Sequence, residues 1–165
     1  EDFDFHAWNH EQDAGRPWEE AEYSGARTHP HWQHHIVGYR RHFDDSLTGP
    51  IDGTVAIVAE LHESGVPLFA LTNWSAELFP AARRRFEFLT LFDDIIVSGD
   101  EGIAKPAPEI FAILRRRVGQ PLGRCLFVDD SVTNVQAARR TGLDAVVFTD
   151  PDALRSELRG RGLPV

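Results

Sequence analysis

The sequence predicts an α/β fold: a parallel sheet with helices on both faces, preceded by a small helical segment. Three observations carry this. From about Ile51 onward, helical spacings alternate with short apolar runs. Those runs are apolar at nearly every position, as strands buried on both faces are. The first fifty residues, by contrast, contain no strand-like run. With 165 residues, 42% of them hydrophobic, there is material for one good core and a small accessory domain, placed at 1–50 and 51–165.

The first segment holds three of the four tryptophans (Trp8, Trp18, Trp32) and seven of the eight histidines. Breaks at Gly15-Arg16-Pro17 and His29-Pro30 divide it into short helices, a lid over the larger domain. His29, His31, His34 and His35 share helical spacing, but with no cysteine nearby they read as a polar face rather than a zinc site. Val55, Ile57, Val58 and Leu61 then recur at helical spacing, and Gly65 stands where a left-handed residue ends a helix. Residues 66–71 form the first strand, with Pro67 near its start, where a missing N–H costs least. A helix over 76–85 and a strand at 95–97 follow. Pro108 opens the next helix, striped by Phe111, Leu114 and Val118 and closed by Gly119. A third strand spans 125–128, and Ser131 caps a helix through Arg140. A strand at 143–148 and a helix from Pro151 to Arg159 complete the chain.

Composition narrows function. The formal charge of -9, from 26 acidic and 17 basic residues, repels nucleic acid and anionic membrane surfaces. The arginine clusters at 83–85 and 115–117 lie within helical segments and read as solvated faces. No apolar run reaches the roughly 18 residues a membrane span needs, and the start lacks the pattern of a secretory signal, so a cytoplasmic location is expected. The single cysteine, Cys125, sits in an apolar run and reads as a buried, inert thiol. Oligomeric state is not legible, and a homo-oligomer stays open.

Ligands of open parallel sheets bind beyond the carboxyl ends of the strands. There the sequence places Thr72 and Asn73, then Ser98 with Lys105 seven residues later, then Asp129 and Asp130. Taken singly, each is more often a cap or a solvated charge. Together, hydroxyl, amide, ammonium and adjacent carboxylates suit a phosphate and a hard cation.

These residues stand in three blocks: Leu71-Thr72-Asn73-Trp74-Ser75, Ile103-Ala104-Lys105-Pro106-Ala107-Pro108-Glu109, and Phe127-Val128-Asp129-Asp130-Ser131 through Asn134. In order and spacing they resemble the second, third and fourth motifs of the haloacid dehalogenase superfamily. The likeness covers 51–165 closely, and the lid is similar to the tail of that family's helical cap. It implies a Rossmann-like core and a Mg2+-dependent phosphatase acting on a small phosphorylated metabolite through an aspartyl-phosphate. Thr72 and Asn73 would bind the phosphoryl group, and Lys105 would stabilise its charge and orient the nucleophile. Asp130 would be a Mg2+ ligand supported by Asp129. Asn134 and Ser131 would orient that site from behind. Trp74 would line the substrate pocket or pack in the core.

In that family an aspartate at the end of a first, central strand attacks phosphorus, and a second aspartate two residues on acts as general acid and base. The one Asp-x-Asp near the start, Asp2-Phe3-Asp4, has no apolar strand ahead of it and reads as a decoy. The amino-terminal central strand is therefore expected to be absent from these 165 residues, leaving sheet edges unpaired and the chain inactive by itself. The alternatives are a 2-haloacid dehalogenase, against which the Asp129-Asp130 pair argues, and an inactive relative that binds a partner.

Overall fold

In the computed structural model, which describes residues 3–165, the amino-terminal part is helical. Asp4 caps α1 (Phe5–Asp13), its carboxylate accepting the Ala7 N–H at 3.0 Å. Asp4 is thus engaged in a cap, and Asp2 lies outside the described residues. Then come α2 (Trp18–Thr28), a 3-10 turn at Pro30–Trp32, α3 (Gln33–Arg41) and the single turn α4 (Phe43–Ser46).

From Ile51 onward helices and strands alternate: α5 (Asp52–Glu63), β1 (Phe69–Thr72), α6 (Phe79–Arg85), β2 (Asp94–Val97), α7 (Ser98–Glu101), α8 (Pro108–Val118), β3 (Leu126–Asp129), α9 (Val132–Arg140), β4 (Asp144–Val147) and α10 (Pro151–Gly160). Local chemistry places the ends. Pro108 opens α8, and Gly119, left-handed at φ 66, closes it. Ser131 and Asp150 cap α9 and α10 through their side chains. Two expectations shift. The first strand runs 69–72 rather than 66–71 and is only half-buried, and α6 begins at Phe79 because 76–78 form a turn. Among the described residues the strands form two separate pairs, β1–β2 and β3–β4, instead of one continuous sheet. The second pair is parallel, with Leu126 opposite Asp144 and Asp129 opposite Val147. No helix among the described residues is long and apolar enough to cross a membrane.

The chain divides into two units. One holds the amino-terminal segment through Gly49 together with Thr72–Glu87 and Val97–Ala104; the other holds Pro50–Leu71, Phe88–Ile96 and Lys105–Val165. The first is built on Trp8, Trp18, Ala21, Ile36, Phe43 and Leu78, with Tyr39 and Trp74 packed against them. Two glycines permit a close approach within it. At Gly99 a Cβ would lie 2.3 Å from the Ala76 nitrogen and 2.8 Å from the Trp74 oxygen. Gly15, at φ +98, sits so that a Cβ would meet the Gly102 Cα at 3.1 Å. In the second unit Ile57 and Leu61 of α5 pack on Leu154 and Leu158 of α10. Arg155 clamps the two helices by a two-pronged bond to Glu60 at 2.5 and 2.8 Å.

Gly99→Ala drives a methyl group into backbone, so it is expected to lower stability by about 1–3 kcal/mol, read as a shift of the urea midpoint. Asp13 offers a second check. Burial holds its carboxyl above the ordinary value, against His10 and the Ser75 backbone N–H, which pull it down. An acid raised in the fold contributes stability that is present at and below its unfolded value of about 4 and lost as pH climbs through the folded value. Asp13→Asn should therefore lack that decline, which urea midpoints taken on both sides of the window would show.

Candidate active site

Successive residues of a strand face opposite ways, so Phe127 and Asp129 of β3 share a face, and both are buried. A carboxylate there must find donors or forgo its charge. Asp129, 9% exposed, finds three. Lys105 Nζ donates to Oδ2 at 2.7 Å; on Oδ1 the Ser131 N–H arrives at 2.9 Å and the Asn134 side-chain amide at 3.0 Å. Ser131 also accepts the Asn134 N–H on its hydroxyl at 3.3 Å, so the cap of α9 and the cradle of Asp129 are one structure.

Lys105, 8% exposed, sends a further hydrogen bond to the Leu71 carbonyl at 2.8 Å, and its ammonium lies 5.7 Å from the centre of the Phe127 ring. The lysine thus joins the end of β1 to the end of β3. Asp130, next in the chain, is exposed. Two adjacent carboxylates therefore differ in kind: the first is fully engaged by protein donors, and the second faces solvent.

Lys105, Asp129, Ser131 and Asn134 are brought together in the second unit, with Asp130 beside them in the chain. Thr72, Asn73 and Trp74 belong to the first unit. Thr72 is the last residue of β1, and Asn73 opens the irregular stretch after it. The Trp74 N–H donates to the Ser98 hydroxyl at 2.9 Å, and its carbonyl accepts the Gly99 N–H at 3.0 Å. Its ring stands edge-on to Phe43 and Phe79, with centroids 5.9 and 5.4 Å away.

Two members of the lysine's surroundings were not foreseen. The Leu71 carbonyl is a backbone group and leaves no signal in side-chain identity. Phe127 did leave one: two residues before Asp129 on a strand, it had to share that residue's face. Cys125 is half-buried rather than fully buried, and burial pushes its thiol up, away from the reactive thiolate. Among the described residues no three His, Cys, Asp or Glu side chains are grouped to hold a metal ion, the lid histidines included.

Lys105→Met leaves Asp129 buried without its cation and is expected to cost about 3–5 kcal/mol, whereas the double variant Lys105→Met/Asp129→Leu should recover part of that loss. Chemical denaturation of both variants beside the parent measures the difference.

The model of a family described as haloacid dehalogenase-like hydrolase matches residues 8–142. Among curated proteins, a sesquiterpene phosphatase of Aspergillus oryzae is 33% identical over 104 residues, 63% of this chain and 53% of its own. A probable pseudouridine-5'-phosphatase of Drosophila melanogaster is 32% identical over 60% of this chain and 46% of its own. The chain thus spans about half the length of these relatives. Among solved structures, a HAD family enzyme from Bacteroides thetaiotaomicron, crystallised as an aspartate-to-alanine mutant with magnesium and inorganic phosphate, superposes with a TM-score of 0.70. It is 17% identical, over 88% of this chain and 77% of its own. A predicted HAD-like family hydrolase from Porphyromonas gingivalis gives the same TM-score, at 19% identity, over 95% and 81%.

Proposed function

Because the chain belongs to the haloacid dehalogenase-like hydrolase family, we propose that it serves a Mg2+-dependent phosphatase acting on a small phosphorylated metabolite through an aspartyl-phosphate. The observation that carries this is the contrast between the two carboxylates after β3. Asp129 is taken up by Lys105, Ser131 and Asn134, while Asp130 stands open to solvent. A phosphate ester needs positive charge that is held in place and a carboxylate left over for a cation, and this arrangement provides both. The phosphatase names of several relatives agree with it.

In this reading Thr72 and Asn73 bind phosphoryl oxygens, and Lys105 offsets their charge. Asp129 holds the lysine rather than the metal, with Ser131 and Asn134 fixing its carboxylate in turn. The donors present fit Mg2+, which binds through one or two carboxylates plus the substrate's own oxygens, and Asp130 is the available one. When bound, the cation would neutralise and orient the phosphoryl group. No described residue is assigned as the attacking aspartate, because Asp4 is engaged in capping α1. These 165 residues alone are therefore expected to bind phosphate without turning over an ester.

Calorimetric titration of inorganic phosphate, with and without Mg2+, tests this. Binding should require Mg2+. Asp130→Asn should weaken the binding seen with Mg2+ by roughly tenfold or more, toward the level without the cation, tenfold being the scale of one interaction with a charged group. Mg2+-independent release of halide from a 2-haloacid would replace the proposal with the dehalogenase reading.

A further inference from the structure

Between the end of β1 at Thr72 and the start of α6 at Phe79 the chain has neither a ladder nor a helix to hold it. Thr72 closes the ladder, and hydrogen bonds of other kinds act on the stretch that follows it. The clamps lie in the same unit. Trp74 is held by Ser98 and Gly99 through its N–H and carbonyl. Ser75, 3% exposed, is held from the lid: the Trp18 indole Nε1 donates to its hydroxyl at 2.7 Å, and the Glu77 N–H donates to the same oxygen at 3.2 Å. The Trp18 backbone N–H donates in addition to a Glu77 carboxylate oxygen at 2.8 Å. One lid residue therefore grips the turn at two points.

Trp18 is suited to this. It is the largest fully buried side chain of the molecule's described part, at 0% exposure, and its ring is fixed by Trp8, edge-on at 5.2 Å, and Tyr39, stacked at 5.4 Å. With the ring fixed, the position of Nε1 is fixed, and an indole N–H can only donate. The Ser75 oxygen must come to it. Packing alone accounts for an apolar ring at this place; it does not account for a buried indole N–H meeting a buried hydroxyl three residues past Thr72.

We propose that Trp18 is a positioning residue for the phosphate-binding turn, acting through the Ser75 hydroxyl to hold Thr72 and Asn73 in a phosphate-ready conformation. This rests on the assignment of Thr72 and Asn73 made above. Phosphate donors misplaced by a fraction of an ångström lose much of their effect, so the lid contributes to affinity without touching the ligand.

The test is calorimetric titration of inorganic phosphate with Mg2+ into the parent and into Trp18→Phe, which keeps a ring and removes the donor, Ser75→Ala, the double variant and Ser75→Thr. Each single variant, and equally the double, should weaken phosphate binding roughly five- to tenfold, the scale of one hydrogen bond. Ser75→Thr should stay within about twofold, since the acceptor oxygen is retained. Unchanged affinity in Trp18→Phe or Ser75→Ala, or effects that multiply in the double variant, would overturn the proposal. Should a variant fail to fold, the parent still decides: its Trp18 indole 1H–15N resonance should shift as phosphate is added, and a resonance that stays put counts against the role. Thr72→Ala separates the two readings. If it leaves phosphate binding intact, the assignment of the turn is wrong and this proposal goes with it; if it abolishes binding while Trp18→Phe does not weaken it, only the lid's role is lost.

Discussion

A lysine and an aspartate withdrawn from water set the terms for the second unit. Two opposite charges at 2.7 Å repay their desolvation only if the remaining donors and acceptors also find partners. That requirement reaches outward from Lys105 and Asp129 into the end of β1, through the Leu71 carbonyl, and into the first turn of α9, through Ser131 and Asn134. Strand ends and a helix start are thereby tied to a single electrostatic centre. Asp129 cannot then also be the exposed carboxylate of the pair, which is why the neighbouring acid is left to meet whatever arrives from solution.

Much of this was legible in the sequence because the signals are local. Pro108 and Gly119 bound α8, Ser131 caps α9, and the strands Asp94–Val97 and Leu126–Asp129 lie within a residue of where apolar runs placed them. Lys105 and the Asp129-Asp130 pair stood out because their spacing matches a family pattern, and the lysine does meet the first of the two acids. What sequence could not supply is nonlocal. Whether four short strands make one sheet or two pairs depends on which edges meet, and nothing in a run such as Phe69–Thr72 states its neighbours. The same holds for Ser75: a serine three residues beyond a strand reads as a turn residue, and only the fold reveals that an indole from residue 18 seeks it out.

The family match and the two phosphatase relatives are named for hydrolytic chemistry, and those two relatives are named for different substrates. In this chain the helical segment does more than cover space. Its hydrophobic core includes Phe43 and Leu78, with Trp74 packed against them, so residues widely separated in sequence share one cluster.

That sharing bears on engineering. A transplant that replaced only the first 49 residues with another family member's helices would leave Ser75 without the Trp18 indole and Gly102 without the close approach of Gly15. The graft that keeps its own internal seams has three pieces, the opening segment together with Thr72–Glu87 and Val97–Ala104. The opening helices and those two later stretches form one mechanical piece, so they have to be moved together.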